Sequence, residues 1–84
     1  MMIMLNAADF DFYTKKAIIM MFDELTKKEW DKHFKNASRT GLKETKRSNY
    51  NEYNPFLVGD WLVRQGHYSR ANVNDILMSH KRYR

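Results

Sequence analysis

The chain has 84 residues, which is enough for one small domain (1–84) with a small core. Hydrophobic residues make up 43% of it, which excludes the intrinsically disordered class, and the lack of cysteine excludes disulfides and thiolate metal sites. The net charge of +5 favours an anionic partner, and a chain without cysteine fits the cytoplasmic location that we expect.

The positive charge is concentrated in the middle and C-terminal parts of the chain. Residues 1–26 carry two basic and four acidic residues, residues 27–50 carry eight and three, and residues 51–84 carry five and three. The middle segment therefore has a net charge of 8 − 3 = +5 by itself. The longest apolar run, 17–22, is too short to span a bilayer, so no membrane partner is predicted.

The first predicted helix covers residues 6–24. Asn6 is a candidate N-cap, because Asp9 follows three residues later and Leu5 and Phe10 can pack across the cap. The segment carries more apolar surface than three short helices easily cover. Core packing is the preferred interpretation, and the alternative is a protein interface. The residues predicted for that interface are Ile18, Ile19, Met20 and Met21.

The second predicted helix covers residues 26–39 and has two distinct faces. Thr26 and Glu29 match a capping box, and the helical period places Trp30 and Phe34 on one side. The opposite side carries a row of cations, which either contacts an anionic partner or is an ordinary solvated surface. The row consists of Lys28, Lys32, Lys35 and Arg39.

A basic loop at 40–53 follows, with Gly41 as the expected left-handed end of the helix. Its cations are Lys43, Lys46 and Arg47, and Tyr50 comes shortly after them. Basic side chains near aromatic rings are typical of strand-binding surfaces, because cations contact phosphates and rings stack on bases. A partly ordered functional loop is therefore favoured over a mobile linker.

The last two predicted helices cover residues 54–65 and 69–81, and the turn between them contains Gly66. Asn54 followed by Pro55, and Ser69, are their candidate N-caps. This pattern is typical of a DNA-reading helix pair, although similar hairpins also occur in helical domains without that function. The predicted contacts of the pair are Arg70 and Asn74 with base edges and Lys81 and Arg82 with phosphates.

No motif indicates catalysis or cofactor binding. The three histidines, His33, His67 and His80, form no i,i+4 pair, and no phosphate-binding glycine motif is present. We therefore predict a non-enzymatic protein with no metal, no cofactor and no small-molecule substrate. Convincing apolar–polar alternation is also missing, so no strand is predicted beyond a short edge that residues 1–5 could form.

Taken together, these patterns predict an all-α domain, a compact bundle of four short helices, that binds nucleic acid in a regulatory or accessory role. The alternative is a small accessory or inhibitor protein of the kind that phages and mobile elements encode. Such a protein would bind a larger host protein through its apolar first helix, or an acidic protein surface through its cations. Homodimer formation is compatible with either function.

Overall fold

A computed structural model describes residues 5–47 and 51–80 of the chain. Over these ranges the protein is mostly helical, as the sequence predicts, and its helices surround one hydrophobic core. The helices are α1 (Lys15–Met21), α2 (Lys27–Lys35), α3 (Ala37–Thr40), α4 (Pro55–Arg64) and α5 (Arg70–His80). Two 3₁₀ turns, Ala7–Asp9 and Leu42–Thr45, and two short strands, β1 (Tyr13–Thr14) and β2 (Glu52–Tyr53), complete the described elements.

The prediction of a first helix over residues 6–24 is wrong for its N-terminal half. Asn6 and Asp9 do form the predicted capping box, but it caps only the 3₁₀ turn. The chain then becomes extended and pairs in an antiparallel ladder, with Tyr13 opposite Tyr53, so the expectation of a fold without strands in this region is also wrong. A new helix begins after Thr14, whose Oγ1 accepts a hydrogen bond from the backbone N–H of Ala17 (3.2 Å).

The second predicted helix, 26–39, is interrupted at Asn36. This residue has φ −106° and ψ 26°, outside the helical region, and it separates α2 from α3. Gly41 ends α3 in the left-handed conformation (φ 89°), as the sequence predicts, because only a residue without a Cβ adopts it at no steric cost. The predicted helices at 54–65 and 69–81 correspond to α4 and α5.

The centre of the core is a pair of buried tryptophans. The rings of Trp30 and Trp61 lie 6.1 Å apart, and the two residues are 0% and 1% exposed. Each indole N–H donates to a backbone carbonyl at 2.9 Å: Trp30 to that of Phe22, and Trp61 to that of Thr40. Both rings are therefore buried without leaving a polar atom unpaired.

The helical pair α4–α5 packs closely through a glycine. A Cβ atom at Gly59 would lie 2.6 Å from Cγ1 of Val73, so only glycine allows this approach. Tyr68, in the connection between the two helices, joins the pair to the N-terminal half, since its hydroxyl accepts a hydrogen bond from the Glu24 N–H (2.9 Å). None of the helices in the described ranges has the length and apolar character needed to cross a bilayer.

Replacing Trp61 with alanine should lower the free energy of unfolding by about 3–5 kcal/mol, because it removes a large buried ring and leaves a cavity. A loss of that size is most of the stability of a small domain. Thermal denaturation followed by circular dichroism is the measurement. Trp61→Phe should lose less stability than Trp61→Ala, because it keeps a ring in the core. It should still be less stable than the parent, because the Thr40 carbonyl loses its donor. A Trp61→Ala transition within a few degrees of the parent would contradict this account.

The start of α2 depends on two reciprocal hydrogen bonds. The Glu29 N–H donates to Thr26 Oγ1 (3.1 Å), and the Thr26 N–H donates to Glu29 Oε1 (3.2 Å), as in the predicted capping box. Donation from the backbone and side chain of Thr26 lowers the pKa of Glu29, so the box is complete above the ordinary carboxyl pKa and is lost as pH falls through the lowered value.

Thr26→Ala should therefore destabilise the protein by about 1 kcal/mol at pH 7. The double variant with Glu29→Ala should lose less than the sum of the two single losses, because either substitution already breaks the reciprocal pair. Urea denaturation of the four proteins measures this coupling. Strictly additive losses would count against the capping box as a unit.

Candidate nucleic-acid interface

Five exposed cations follow one another along α2, α3 and the second 3₁₀ turn, and we call them the basic strip. They are Lys28, Lys32, Lys35, Arg39 and Lys43. Within residues 5–47 and 51–80, none of the five has an ion-pair partner. Their charges are therefore not neutralised by the part of the chain that the structure describes.

Burial of the opposite face of α2 positions the strip. Trp30 and Phe34 stack 5.4 Å apart, one helical turn from each other, and both are buried. With the helix start fixed by the capping box, Lys28, Lys32 and Lys35 must fall on the far side, within about 60° of arc. The prediction that one face of this helix packs while the other presents cations is confirmed.

A shallow depression joins α2 to α3 within the strip. Its volume is about 280 Å³, and Lys35, Asn36, Ser38 and Arg39 are among its lining residues. Lys35 and Arg39 both line it, although the α2–α3 segment is interrupted between them at Asn36.

The predicted basic loop is largely part of the fold. Leu42 is fully buried, and the Asn54 N–H donates to the Thr45 carbonyl (2.9 Å), which ties the loop to the start of α4. Lys46 is half-buried and bridges to Tyr53. The described parts of this loop, 40–47 and 51–53, therefore belong to the fold.

Arg47 is engaged within the loop. Its guanidinium lies 3.6 Å from the Glu52 carboxylate and above the ring of Phe12, at 5.6 Å from the centroid. It is therefore a weaker candidate for phosphate contact than the strip. Tyr50 lies outside the described residues, so the predicted pairing of loop cations with its ring is not tested.

The predicted helix pair exists, but its arginines are engaged. Arg70 donates to Asp60 at 2.7 Å, and Arg64 lies 3.4 Å from the same carboxylate. Arg70 would have to leave Asp60 before it could contact a base. Asn74 is exposed, whereas the predicted contacts Lys81 and Arg82 lie outside the described residues.

The predicted protein interface on the first helix is smaller than expected. Ile18 and Met21 are 0% and 8% exposed and belong to the core, so Ile18 is unavailable to a partner and Met21 offers it only a small surface. Ile19 is half-buried, and Met20 is 71% exposed. The reason is the short α1, which turns two of its four largest apolar side chains inward.

Sequence reasoning missed a pair of histidines beside the tryptophan core. The rings of His33 and His67 lie 5.0 Å apart, and His33 lies edge-on to Trp61 at 5.1 Å. The two residues are far apart in sequence and meet only because α2 packs beside the end of α4. Across the described ranges, no set of three side chains suited to holding a metal ion occurs, so the pair indicates no metal site.

The pKa of His33 is lowered, first by burial and then by the positive charges of His67 and Lys32, while Glu29 opposes the shift. The folded protein therefore resists protonation of His33. Its stability contribution is complete above the unfolded pKa of about 6.5 and is lost as pH falls from there through the lower folded pKa.

Comparison of the chain with family models, with curated proteins and with solved structures finds no match. The fold and the strip therefore define only a class, a small and mostly helical protein with a series of exposed cations along α2, α3 and the turn after them. Its function has to be argued from the physical properties of those cations.

His67→Gln should raise the pKa of His33, because it removes the nearest competing positive charge. NMR titration of the His33 ring measures this directly. Urea denaturation at pH 7.5 and 5.5 should show a smaller loss of stability at the lower pH for the variant than for the parent. An unchanged His33 titration would show that the two imidazoles do not interact.

Proposed function

We propose that this protein is a small, non-enzymatic and cytoplasmic module that binds nucleic acid through the basic strip, in a regulatory or accessory role. The observation that carries the proposal is the contrast between two sets of cations. The five residues of the strip have no ion-pair partner in the described part of the chain, whereas Arg64 and Arg70 share Asp60.

The dimensions of the strip suit a phosphate backbone. From Lys28 to Lys35 the helix rises about 10 Å, which corresponds to about three base steps of a strand. Each phosphate that a lysine neutralises releases condensed counterions, and this release supplies most of the free energy of sequence-independent binding. Arg39 and Lys43 extend the same positive surface along the chain.

The proposed binding has little preference for particular base sequences. The aromatic rings nearest to the strip, Trp30 and Phe34, are buried and unavailable for stacking on bases. Arg70, the best candidate for reading a base edge, is bound to Asp60. Contacts to phosphates without base readout fix the position of a protein on a strand but carry no sequence information. The hairpin α4–α5 would then be a secondary contact, through Asn74.

An acidic protein surface is the rival partner for the strip. It would contact the same five cations. Because a protein surface lacks the dense counterion layer of a nucleic acid, the affinity should depend less on salt concentration. Retention of the protein's partner after nuclease treatment of a source-cell lysate would favour this rival.

The decisive experiment replaces Lys28, Lys32 and Lys35 with glutamine, which removes three charges and keeps helix propensity nearly unchanged. Affinity for single- and double-stranded oligonucleotides should fall alike for all base sequences. The slope of log affinity against log salt should flatten by about 2–3 units. Fluorescence anisotropy over a salt series is the measurement.

A matched control removes the same number of charges elsewhere. Lys15, Lys16 and Lys27 are exposed but lie off the strip, and their replacement with glutamine gives the same net charge as the first triple variant. This control should keep most of the parent's salt slope. Equal effects of the two triple variants would show that only net charge matters, and the proposed interface would be wrong.

A further inference from the structure

A second surface, separate from the strip, surrounds the exposed side chain of Met20. This residue is 71% exposed, although it is a large apolar side chain, and two grooves adjoin it. The first groove measures about 470 Å³ and includes Ile19 in its lining. The second measures about 340 Å³ and is lined by Ala17, Met20, Met21 and His80. Met20 therefore lines both of these concave and partly apolar sites, and we call its exposed side chain the ridge.

The charges around the first groove are mostly positive. Lys15, Lys16 and Lys27 line it, and Asp31 is the acidic residue in its lining. The ammonium of Lys15 lies 5.2 Å from the centroid of the Phe34 ring, in a cation–π contact. A partner that fills the groove must therefore combine apolar side chains with negative charge.

We infer that the two grooves beside Met20 dock an acidic amphipathic helix of a partner protein. Apolar side chains one turn apart on that helix would enter the grooves on either side of Met20. Its carboxylates would face Lys15, Lys16 and Lys27. Helix-in-groove recognition uses this combination of spaced apolar anchors and flanking charges, and methionine adapts its shape to such partners.

Other occupants fit these features less well. A second copy of the chain would bring its own net charge of +5 and the same lysines to the contact. A nucleic acid would meet the lysines but would leave the apolar linings of both grooves unfilled. A bilayer surface is too flat to fill concave grooves, and α1 has only seven residues, of which Ile18 and Met21 are buried.

The test selects binders from a phage-displayed library of random 16-residue peptides against the folded protein. Enriched peptides should be acidic and should carry apolar residues at i and i+3 or i+4. Synthetic copies should bind at least about tenfold more weakly to Met20→Glu, which adds a negative charge to the ridge. Met20 is exposed, so this variant should keep the parent's circular dichroism spectrum.

Two further variants separate this surface from the strip. Lys16→Glu should weaken binding of the same peptides without changing Met20. It therefore gives a second probe if Met20→Glu fails to fold. The Lys28, Lys32 and Lys35 triple variant should weaken peptide binding much less than Lys16→Glu does, because those residues do not line either groove. Loss of peptide binding in that triple variant would assign the peptides to the strip and overturn the inference.

Three other results would also overturn it. The first is enrichment of peptides without acidic bias, or of peptides insensitive to both Met20→Glu and Lys16→Glu. The second is self-association in sedimentation equilibrium that Met20→Glu abolishes, which would make a second copy the occupant. The third is Met20-dependent binding to phosphatidylglycerol vesicles or to a single-stranded oligonucleotide, which would replace the protein helix with a lipid or a nucleic acid.

Discussion

The structure depends most on the way in which two tryptophans are buried. Trp30 and Trp61 pack against each other at the centre of the core, and each indole N–H donates to a backbone carbonyl in another part of the chain. The carbonyl of Phe22 lies just beyond α1, and that of Thr40 is the last in α3. The two hydrogen bonds therefore join the tryptophans to the end of α1 and to the end of the α2–α3 segment. Because Trp30 points inward, the outward direction of Lys28, Lys32 and Lys35 follows from the same constraint.

Local signals in the sequence predicted the helix starts well, because a cap involves residues only two or three positions apart. Thr26 and Asn54 both cap the helices that they were expected to cap. The prediction was wrong between Asn6 and Thr14, where the correct structure depends on pairing with β2, about 40 residues away. Thr14 caps α1, but the apolar residues on both sides of it also fit one longer helix. Only the long-range partner distinguishes the two.

For the candidate site, the sequence predicted one exposed face of α2, again because the signal is local. The period of α2 places Lys28, Lys32 and Lys35 on one side of the helix and all three are exposed, while their role in binding stays a prediction. The engagement of Arg70 by Asp60 was not predictable, because it joins two helices across a turn whose geometry the sequence does not specify. The same holds for the His33–His67 contact. Whether a side chain is free to contact a partner depends on its neighbours in the folded structure. Composition does not identify those neighbours.

Helix α2 carries both proposed surfaces, and this has an electrostatic consequence. Lys27 lines the groove beside Met20, whereas Lys28, the next residue, belongs to the strip. Neighbouring residues on a helix lie closer together than the Debye length of about 8 Å at physiological ionic strength, so salt does not fully screen one surface from the other. An anionic partner on either surface would lower the positive potential that attracts the second. If both surfaces are used, their occupancies must oppose each other, and linkage requires the effect to be equal in both directions. The single helix that organises the core would then also couple the two binding events.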